Sequence, residues 1–315
     1  MTSNIKNVAV IGTGVIGAGW IIRCLAHNKK VVAFDKDLKL KKRLVAEIKR
    51  TWPYVKKLFN KKKLNLKNFK YVTSVKEALK EADFIQECAT ENYRIKIKLM
   101  SIIGKYAKPN AIISSSSSGL LPTKIYSKCK NPARTMIGHP FNPVYMCPGV
   151  EIVPGKKTKK KFLNKANKFY KSISMNPIMV KKELPGYLAD RLQEALWREA
   201  LHIVNEGYAS TKDLDRAIED GPGLRWSLMG IFLTYHLAGG KTGMKHMLEQ
   251  FGPALKLPWT KLKAPKLTKK LSSRVIAGTK QQAKGKSVAM ISNIRDEYLV
   301  NLQKLRKRYE NKVRK

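Results

Sequence analysis

The first part of the chain alternates short apolar runs with longer segments of helical periodicity. Apolar runs at residues 7–11 and 31–34 flank residues 18–27, where apolar side chains recur at helical spacing. A strand, a helix and a second strand within about 30 residues form one β-α-β unit. Helical spacing returns at residues 38–59. The chain is therefore predicted to begin with a parallel sheet.

The same alternation continues beyond this unit. Ser74 and Glu77 have the spacing of a capping box that opens a short helix. A further helix is predicted at residues 159–172, and further strands are predicted at residues 82–87, 111–114, 135–138 and 150–153. This order predicts an α/β fold with a mostly parallel, doubly wound sheet of the Rossmann type and helices on both faces.

After residue 183 the pattern becomes purely helical. Three segments carry helical periodicity and few β-branched runs, namely residues 188–205, 211–219 and 224–237. Pro185 and Gly186 interrupt regular structure and mark the predicted boundary. We therefore expect an N-terminal α/β domain over residues 1–184 and an all-helical domain over residues 185–315.

A glycine-rich turn follows the first strand and opens the first helix. Gly12, Gly14 and Gly17 form the pattern G-x-G-x-x-G, with Val15 and Ile16 between the last two glycines. In a dinucleotide-binding turn these glycines permit the tight bend, the approach of the pyrophosphate and the packing of helix on strand. The amide groups at the helix start would hold the phosphates. Glycines that serve only a tight turn are the alternative, but the strand-turn-helix context favours a nucleotide site.

An acidic residue ends the next strand. Asp35 follows Gly17 by 18 residues, where a carboxylate would accept a hydrogen bond from the ribose 2′-hydroxyl of NAD. The same charge would repel the additional phosphate of NADP, although Lys36 beside it weakens this effect. The predicted cofactor is therefore NAD.

A histidine and a glutamate follow in neighbouring strands. His139 comes directly after one predicted strand, and Glu151 lies 12 residues later in the next. A histidine whose second nitrogen is held by a carboxylate is well placed to take a hydroxyl proton as hydride leaves for a nicotinamide. A single histidine at a strand end is more often structural, so these residues alone leave both interpretations open.

The composition narrows the class of protein. No apolar run approaches the roughly 20 residues of a membrane span, and no export signal is visible near the N-terminus. The four cysteines are far apart and lack metal-ligand spacing. We expect a cytoplasmic protein with reduced thiols, no metal site and no membrane partner.

The charge balance is strongly basic. Lys and Arg total 64 against 22 acidic residues, a formal net charge of +42. Such a balance can indicate nucleic-acid or anionic-membrane binding. The basic residues are spread over the whole chain, however, which favours solvated helix faces. We expect no specific nucleic-acid partner, but we do expect binding to polyanions at low salt.

Taken together, these features resemble the L-3-hydroxyacyl-CoA dehydrogenase superfamily over essentially the whole chain. The resemblance is carried by Gly-His-Pro-Phe-Asn-Pro at residues 138–143 and by the glutamate downstream. It implies that His139 is the general base and that Glu151 orients it. It further implies that Ser118 donates to the reacting oxygen, that Asn142 lies near the nicotinamide, and that Glu91 and Lys96 contact the cofactor. A homodimer is also implied.

Longer stretches are similar to the carnitine-oxidising branch of that superfamily, namely residues 117–123, 138–145, 189–202, 221–226, 232–240 and 251–261. Asp190 stands where the CoA-dependent enzymes usually carry Asn, and the segment between Asp35 and Glu91 is shorter. The resemblance therefore implies a small hydroxy acid substrate, with L-carnitine expected. L-gulonate, a 3-hydroxyacyl-CoA and a non-enzymatic, basic nucleic-acid-binding protein remain the alternatives.

Carnitine would require a cation holder and an anion holder. A trimethylammonium group is best held by aromatic faces and a carboxylate, for which the candidates are Asp190, Phe141, Tyr145, Trp197 and Trp226. For the substrate carboxylate the candidates are Arg225 and, if it is not paired with Glu194, Arg198. Asp190 could instead pair with Arg191, and the tryptophans could belong to the core or to a dimer interface.

Overall fold

The computed structural model describes residues 5–61, 63–227, 230–239, 244–251, 253, 257–261, 268–271, 273, 284–286 and 288–313. This set leaves out parts of the stretches 232–240 and 251–261. It also leaves out the first residues of the predicted N-terminal domain and the last residues of the predicted helical domain. The contacts divide the chain into two compact units, Met1–Arg191 and Leu192–Lys315.

The first unit is built on one eight-stranded sheet. Its strands are β1 (Asn7–Ile11), β2 (Lys30–Phe34), β3 (Phe69–Val72), β4 (Phe84–Glu87), β5 (Ile112–Ser115), β6 (Thr135–Pro140), β7 (Gly149–Pro154) and β8 (Asn176–Met179). Their order across the sheet is β3-β2-β1-β4-β5-β6-β7-β8. Strands β1 to β6 are parallel, β7 is antiparallel to β6, and β8 is parallel to β7. The predicted doubly wound, mostly parallel sheet is confirmed.

Helices cover both faces of this sheet. They are α1 (Val15–Ala26), α2 (Leu40–Phe59), α3 (Val75–Leu79), α4 (Tyr93–Tyr106), α5 (Pro122–Ile125) and α6 (Lys160–Ser172). Apolar residues of α3, α4 and α5 pack on alternate strand residues such as Ile11, Ile85 and Ile137. On the opposite face the α6 residue Phe169 stacks on Phe84 at 4.0 Å between ring centroids. Both faces are apolar, as a sheet buried between two helix layers requires.

The sequence pattern missed two strands, β3 and β8. Each occupies an outer edge of the sheet and is only four residues long. Strand β3 carries an exposed Lys70, and β8 carries Pro177 and exposed Asn176 and Met179. An edge strand has one unpaired backbone edge that faces away from the sheet and tolerates proline, so it does not need the continuous apolar run of a central strand.

The regular elements of the second unit are helices wherever the structure describes it. They are α7 (Ala189–Glu206), which begins in the first unit, followed by α8 (Thr211–Glu219), α9 (Pro222–Trp226), α10 (Ile231–Ala238), α11 (Met244–Phe251) and α12 (Val288–Val313). The single helix predicted at residues 224–237 is wrong, because Gly230 is extended and begins α10 anew. Residues 228 and 229 of that prediction lie outside the described residues. Within the described ranges, no helix combines the length and apolar character that a membrane span requires.

Candidate active site

The antiparallel pairing of β6 and β7 places His139 directly opposite Glu151. The Nδ1 atom of His139 lies 2.7 Å from a carboxylate oxygen of Glu151, and both side chains are buried. A carboxylate can only accept, so Nδ1 carries the proton and Nε2 keeps its lone pair in the neutral ring. The arrangement therefore presents Nε2 as a base.

Glu151 is held from two directions. Its second oxygen accepts hydrogen bonds from the backbone N–H groups of Leu188 at 2.9 Å and Ala189 at 3.1 Å. Burial alone would raise the pKa of Glu151, but the hydrogen bonds from His139, Leu188 and Ala189 outweigh it and lower that pKa. The carboxylate is thus ionised at neutral pH and oriented toward the histidine.

Tyr187 orients the histidine ring from the other side. Its ring meets that of His139 edge-on, with 5.6 Å between centroids, and its hydroxyl donates to the carbonyl of Leu120 at 2.7 Å. Burial raises the pKa of Tyr187 well above its usual range. The backbone of Tyr187 lies in the left-handed region with φ 44°, directly after Gly186 with φ 69°. Two consecutive residues in this region bend the chain sharply before α7.

The glycine turn has the geometry that a dinucleotide needs. Gly12 has φ 100°, and a Cβ there would lie 2.8 Å from the carbonyl oxygen of Cys88. A Cβ on Gly17 would overlap the carbonyl oxygen of Gly12, whereas nothing lies within 4 Å of a Cβ position on Gly14. Helix α1 begins at this open position with no side-chain cap. The amide groups of its first turn, including Val15 and Ile16, are therefore available to an anion.

Asp35 sits beside this turn at the end of β2. One of its carboxylate oxygens accepts from the backbone N–H and the hydroxyl of Thr13, each at 2.9 Å, and the other accepts from the N–H of Lys36 at 2.8 Å. The carboxylate is thereby fixed next to the phosphate-binding turn. Strands β1 and β4, which flank the reversal of strand order, bring this turn to the crevice where doubly wound sheets bind ligands.

Five consecutive serines at residues 114–118 leave the end of β5 and divide between the two faces of the sheet. Ser114 and Ser116 join a polar network on the α1 and α6 side. The hydroxyl of Tyr170 lies 2.9 Å from that of Ser114, and the indole N–H of Trp20 donates to Ser116 at 3.0 Å. Because successive strand residues alternate in direction, the other serines face α4.

On the α4 side the serines meet two carboxylates. Ser115 donates to Glu87, and Ser117 donates to Glu91. The backbone N–H of Ser118 also donates to Glu91 at 3.0 Å, while the Ser118 side chain is exposed. Ser118 therefore stands at the tip of a loop that the buried Glu87 and the partly exposed Glu91 hold in place.

Lys96 lies beneath this loop and is almost completely buried. Its ammonium group is 2.8 Å from Glu87 and 3.4 Å from Glu91. Asn142, the proposed nicotinamide neighbour, is exposed after the end of β6. The contacts of Glu91, Lys96, Ser118 and Asn142 with a cofactor or substrate stay predictions.

The candidate substrate residues of the first unit fall into two environments. A carboxylate oxygen of Asp190 lies 3.8 Å from Nε2 of His139, and the ring of Phe141 lies 5.6 Å from the histidine ring. Tyr145 is buried, and its hydroxyl accepts from Arg50 at 3.3 Å. Asp190 and Phe141 thus border the reactive nitrogen.

The remaining candidates belong to the second unit. Trp197 is half exposed on α7. On α9, Arg225 is exposed and Trp226 is partly buried. Arg198 lies 3.6 Å from Glu194 one helical turn away, the pair that the sequence suggested as an alternative to substrate binding.

Sequence reasoning assigned no role to the buried polar residues at the end of β4. Gln86 donates to Ser116 at 2.7 Å and to the carbonyl of Gly138 at 3.2 Å, next to His139. Glu87, on the other face, is the acid that binds Ser115 and Lys96. The signal was present, since two polar residues end an otherwise apolar buried strand.

Family comparisons agree with this geometry. The model of the 3-hydroxyacyl-CoA dehydrogenase NAD binding domain matches residues 7–184, and that of the 3-hydroxyacyl-CoA dehydrogenase C-terminal domain matches residues 186–287. The chain is 50% identical to L-carnitine dehydrogenase of Oceanobacillus iheyensis, covering 94% of this chain and 97% of the relative. It is 48% identical to the L-carnitine dehydrogenase of Pseudomonas putida, covering 95% and 93%.

Solved structures show the same fold. A 5-formyl-3-hydroxy-2-methylpyridine 4-carboxylic acid 5-dehydrogenase superposes with a TM-score of 0.80 at 22% identity, covering 96% of this chain and 99% of the other. The (S)-3-hydroxybutyryl-CoA dehydrogenase of Ralstonia eutropha superposes with a TM-score of 0.66 at 26% identity, covering 87% and 95%. The chain therefore belongs to the 3-hydroxyacyl-CoA dehydrogenase family and is an NAD-dependent dehydrogenase that acts on CH–OH groups.

Proposed function

We propose that the enzyme oxidises the C3 hydroxyl of L-carnitine to 3-dehydrocarnitine and reduces NAD⁺ to NADH. The names of relatives at 44–50% identity support this substrate. In this proposal residues 1–184 bind NAD and residues 185–315 serve substrate binding and dimerisation. The cytoplasmic location inferred from the sequence stays a prediction.

His139 is the general base in this proposal. The hydroxyl proton of the substrate passes to Nε2, while Nδ1–H keeps its hydrogen bond to Glu151. The negative charge of Glu151 stabilises the imidazolium that forms. NAD⁺, when bound, would supply the acceptor for the hydride from C3, so that the C–H and O–H bonds of the substrate would break as the C=O bond forms.

Residues that follow β5 and β6 complete the proposed active site. Ser118, whose hydroxyl is exposed at the tip of the serine loop, donates a hydrogen bond to the reacting oxygen. Asn142 stands beside the nicotinamide. Gly12, Gly14 and Gly17 with Asp35 hold the pyrophosphate and the adenosine ribose. These assignments extend the family resemblance to the geometry of the described residues.

The position of Asp190 is the observation that favours carnitine as the substrate. Its carboxylate lies 3.8 Å from Nε2 of His139, too far for a good hydrogen bond but close enough to share one bound molecule. In carnitine the quaternary nitrogen is two bonds from the carbon that bears the hydroxyl. A substrate whose hydroxyl meets Nε2 would therefore bring its cation near Asp190. Neither L-gulonate nor a 3-hydroxyacyl-CoA carries such a cation.

Further residues are proposed to hold the trimethylammonium group and the carboxylate of carnitine. Phe141, beside the histidine ring, is our proposal for an aromatic face against the trimethylammonium group. Arg225 as the partner of the substrate carboxylate, and Tyr145, Trp197 and Trp226 as further aromatic contacts, rest on the sequence alone.

We also propose that the enzyme is a homodimer. Helix α10 exposes apolar side chains around much of its circumference, including Phe232 at 80% and Leu237 at 59%. On α12, Met290, Ile294 and Tyr298 form an exposed stripe at a spacing of four residues. A second copy of the chain is the occupant that the family resemblance implies for this apolar surface.

The substrate is tested by following NADH formation with L-carnitine, D-carnitine, L-gulonate and 3-hydroxybutyryl-CoA offered separately. We expect activity with L-carnitine alone. In His139→Ala, kcat should fall by about a hundredfold to ten-thousandfold, with unchanged binding of NADH as the control for folding. Activity with another compound would keep the mechanism and overturn the substrate.

The role of Asp190 is tested with Asp190→Asn, which preserves shape and removes the charge. We expect kcat/KM for L-carnitine to fall by about tenfold to a hundredfold, with the affinity for NADH unchanged. Unchanged carnitine kinetics would remove Asp190 from the site and leave the general base untouched.

A further inference from the structure

A network of buried polar side chains lies beside β6, on the α1 and α6 side of the sheet. Its centre is Gln86 at the end of β4, and its other members are Trp20, Ser114, Ser116 and Tyr170. All of them except Ser116 are exposed by 1% or less. Burying so many polar groups is costly unless each finds a partner, and the proposed reaction uses none of these side chains.

The amide group of Gln86 has only one orientation that satisfies its neighbours. The carbonyl of Gly138 can only accept, so the amide nitrogen faces it at 3.2 Å and gives its second proton to Ser116 at 2.7 Å. The amide oxygen then accepts from the hydroxyl of Tyr170 at 2.8 Å. Burial raises the pKa of Tyr170 well above its usual range, so this hydroxyl keeps the proton that it donates.

The outer members of the network are directed in the same way. The indole N–H of Trp20 can only donate, so Ser116 accepts from it at 3.0 Å as well as from the amide. The proton of Ser116 is then directed to the sulfur of Cys88, 3.3 Å away. Tyr170, which gives its proton to the amide, accepts from Ser114 at 2.9 Å. A network with one satisfied arrangement of protons resists reorientation.

Gly138 is the point at which the network meets the strand of the proposed base. The ladder between β5 and β6 ends at the residue before Gly138, and the amide of Gln86 contacts β6 one residue further on. A Cβ on Gly138 would overlap the hydroxyl of Tyr170 and lie 2.5 Å from that of Ser114. The missing side chain therefore lets the network reach the backbone next to His139.

We propose that Gln86 is a positioning residue for His139 that acts through the carbonyl of Gly138. Glu151 fixes the histidine ring through Nδ1, and Gln86 fixes the backbone from which that ring extends. The rest of the network holds the amide of Gln86 in place. This inference rests on the proposed role of His139 as the general base.

The first test is Gln86→Met in the full-length protein, because methionine keeps the length of the side chain and removes its hydrogen bonds. The carbonyl of Gly138 and the hydroxyl of Tyr170 lose a partner, so the thermal midpoint should fall. With the substrate that the parent oxidises fastest, we expect kcat to fall by about tenfold to a hundredfold, because the base is displaced. The affinity for NADH should stay unchanged. An unchanged kcat in the folded variant would overturn the proposal.

A mutant cycle with His139→Ala separates positioning of the base from any other effect. If Gln86 acts through His139, Gln86→Met should cost no further kcat once the imidazole is gone. An equal loss in both backgrounds would show that Gln86 acts elsewhere and would overturn the proposal. Full activity in His139→Ala would refute the base itself, and this inference with it.

Tyr126 provides the matched control, since it bonds to the same strand away from the base. Its buried hydroxyl donates to the carbonyl of Met136 at 2.6 Å. Tyr126→Phe should lower the thermal midpoint and leave kcat unchanged. A loss of kcat equal to that of Gln86→Met would mean that any damage to β6 impairs the enzyme, and the specific role of Gln86 would fall.

Tyr170→Phe is the milder variant and decides the question if Gln86→Met does not fold. It removes only the proton that the amide oxygen of Gln86 accepts. We expect a smaller fall in kcat and, in combination with Gln86→Met, no loss beyond that of Gln86→Met alone. An unchanged kcat in Tyr170→Phe, or additive losses in the double variant, would contradict the network.

A spectroscopic measurement needs no substrate. The proton on Nδ1 of His139, hydrogen-bonded to Glu151, should give a downfield NMR signal that His139→Ala removes. We expect Gln86→Met to shift this signal and Tyr126→Phe to leave it in place. An unshifted signal in Gln86→Met would overturn the positioning role whatever the substrate is.

Discussion

Glu151 illustrates how one side chain prepares another for chemistry. Because hydrogen bonds lower its pKa, its contribution to orienting His139 is present at neutral pH and is lost only in acid. Glu151→Gln keeps the shape and removes the charge. We predict that kcat at pH 7 to 8 falls by about a hundredfold to ten-thousandfold, while NADH titrations give an unchanged affinity. A kcat within twofold of the parent would mean that Glu151 stabilises the fold and takes no part in catalysis.

His27 gives the fold its own pH dependence. Its Nδ1 donates to the carbonyl of Arg23 at 2.9 Å, so Nε2 accepts from the hydroxyl of Ser174 at 2.8 Å, and Phe59 packs edge-on at 4.6 Å. Burial is the largest cause of a pKa lowered from 6.5 to about 4. The unfolded chain thus takes up the proton at higher pH than the folded chain.

The contribution of His27 to the free energy of unfolding should therefore be fully present above pH 6.5 and should decline as the pH falls toward 4. Urea unfolding at pH 7, 6 and 5 measures this slope. We predict that His27→Gln, which can still donate and accept, has a shallower decline over the same interval. An identical slope in both proteins would assign the decline to other groups.

Helix α1 depends on two glycines for different reasons. A side chain at Gly17 would overlap the backbone of Gly12, whereas one at Gly14 would meet nothing in the protein. We predict that Gly17→Ala lowers the thermal midpoint, while Gly14→Ala keeps it and weakens NADH binding by about tenfold or more, because its methyl group occupies the approach of the pyrophosphate. Equal effects of the two variants on both measurements would contradict this division.

The reversal of direction between β6 and β7 has a chemical consequence. In an antiparallel pair, residues directly opposite each other bring their side chains to the same face. His139 and Glu151 are such partners. A continued parallel sheet would have needed a crossover connection, and the two residues could not have met across so short a segment.

The second unit exposes an apolar surface, from which we predict that two copies of the chain associate. Sedimentation velocity should find a dimer for the parent and a shift toward monomer for Phe232→Glu, since a charge at a side chain 80% exposed would oppose burial. Leu38→Glu is the matched control, because Leu38 is an exposed leucine of the first unit. A monomeric parent, or equal behaviour of the two variants, would refute the dimer or its location.

The net charge of +42 acts on the molecule as a whole. We predict that gel-shift assays detect binding to duplex DNA of any sequence at low salt. This binding should disappear near about 0.15 M salt, because counterion release and screening govern non-specific binding. Binding to one sequence that survives physiological salt would restore nucleic-acid recognition as a function.

Features that depend on neighbours along the chain were accessible from the sequence. Gly12, Gly14, Gly17 and Asp35 lie within one β-α-β unit, so their spacing and the strand-turn-helix order specify the dinucleotide turn. The central strands were also accessible, since a strand buried on both faces needs a continuous apolar run. His139 was recognisable by its position after a strand and by the resemblance of the motif around it.

Contacts between distant segments required the folded structure. Glu87 reaches Ser115 only because β4 and β5 are neighbours in register, and nothing local to either residue announces the other. The same holds for the proximity of Asp190 to His139, which depends on the bend at Gly186 and Tyr187. Local backbone preferences act over a few residues, whereas strand order and register are set by the burial of whole faces. The sequence therefore revealed the type of cofactor and the proposed base, while the polar groups that surround them emerged from packing.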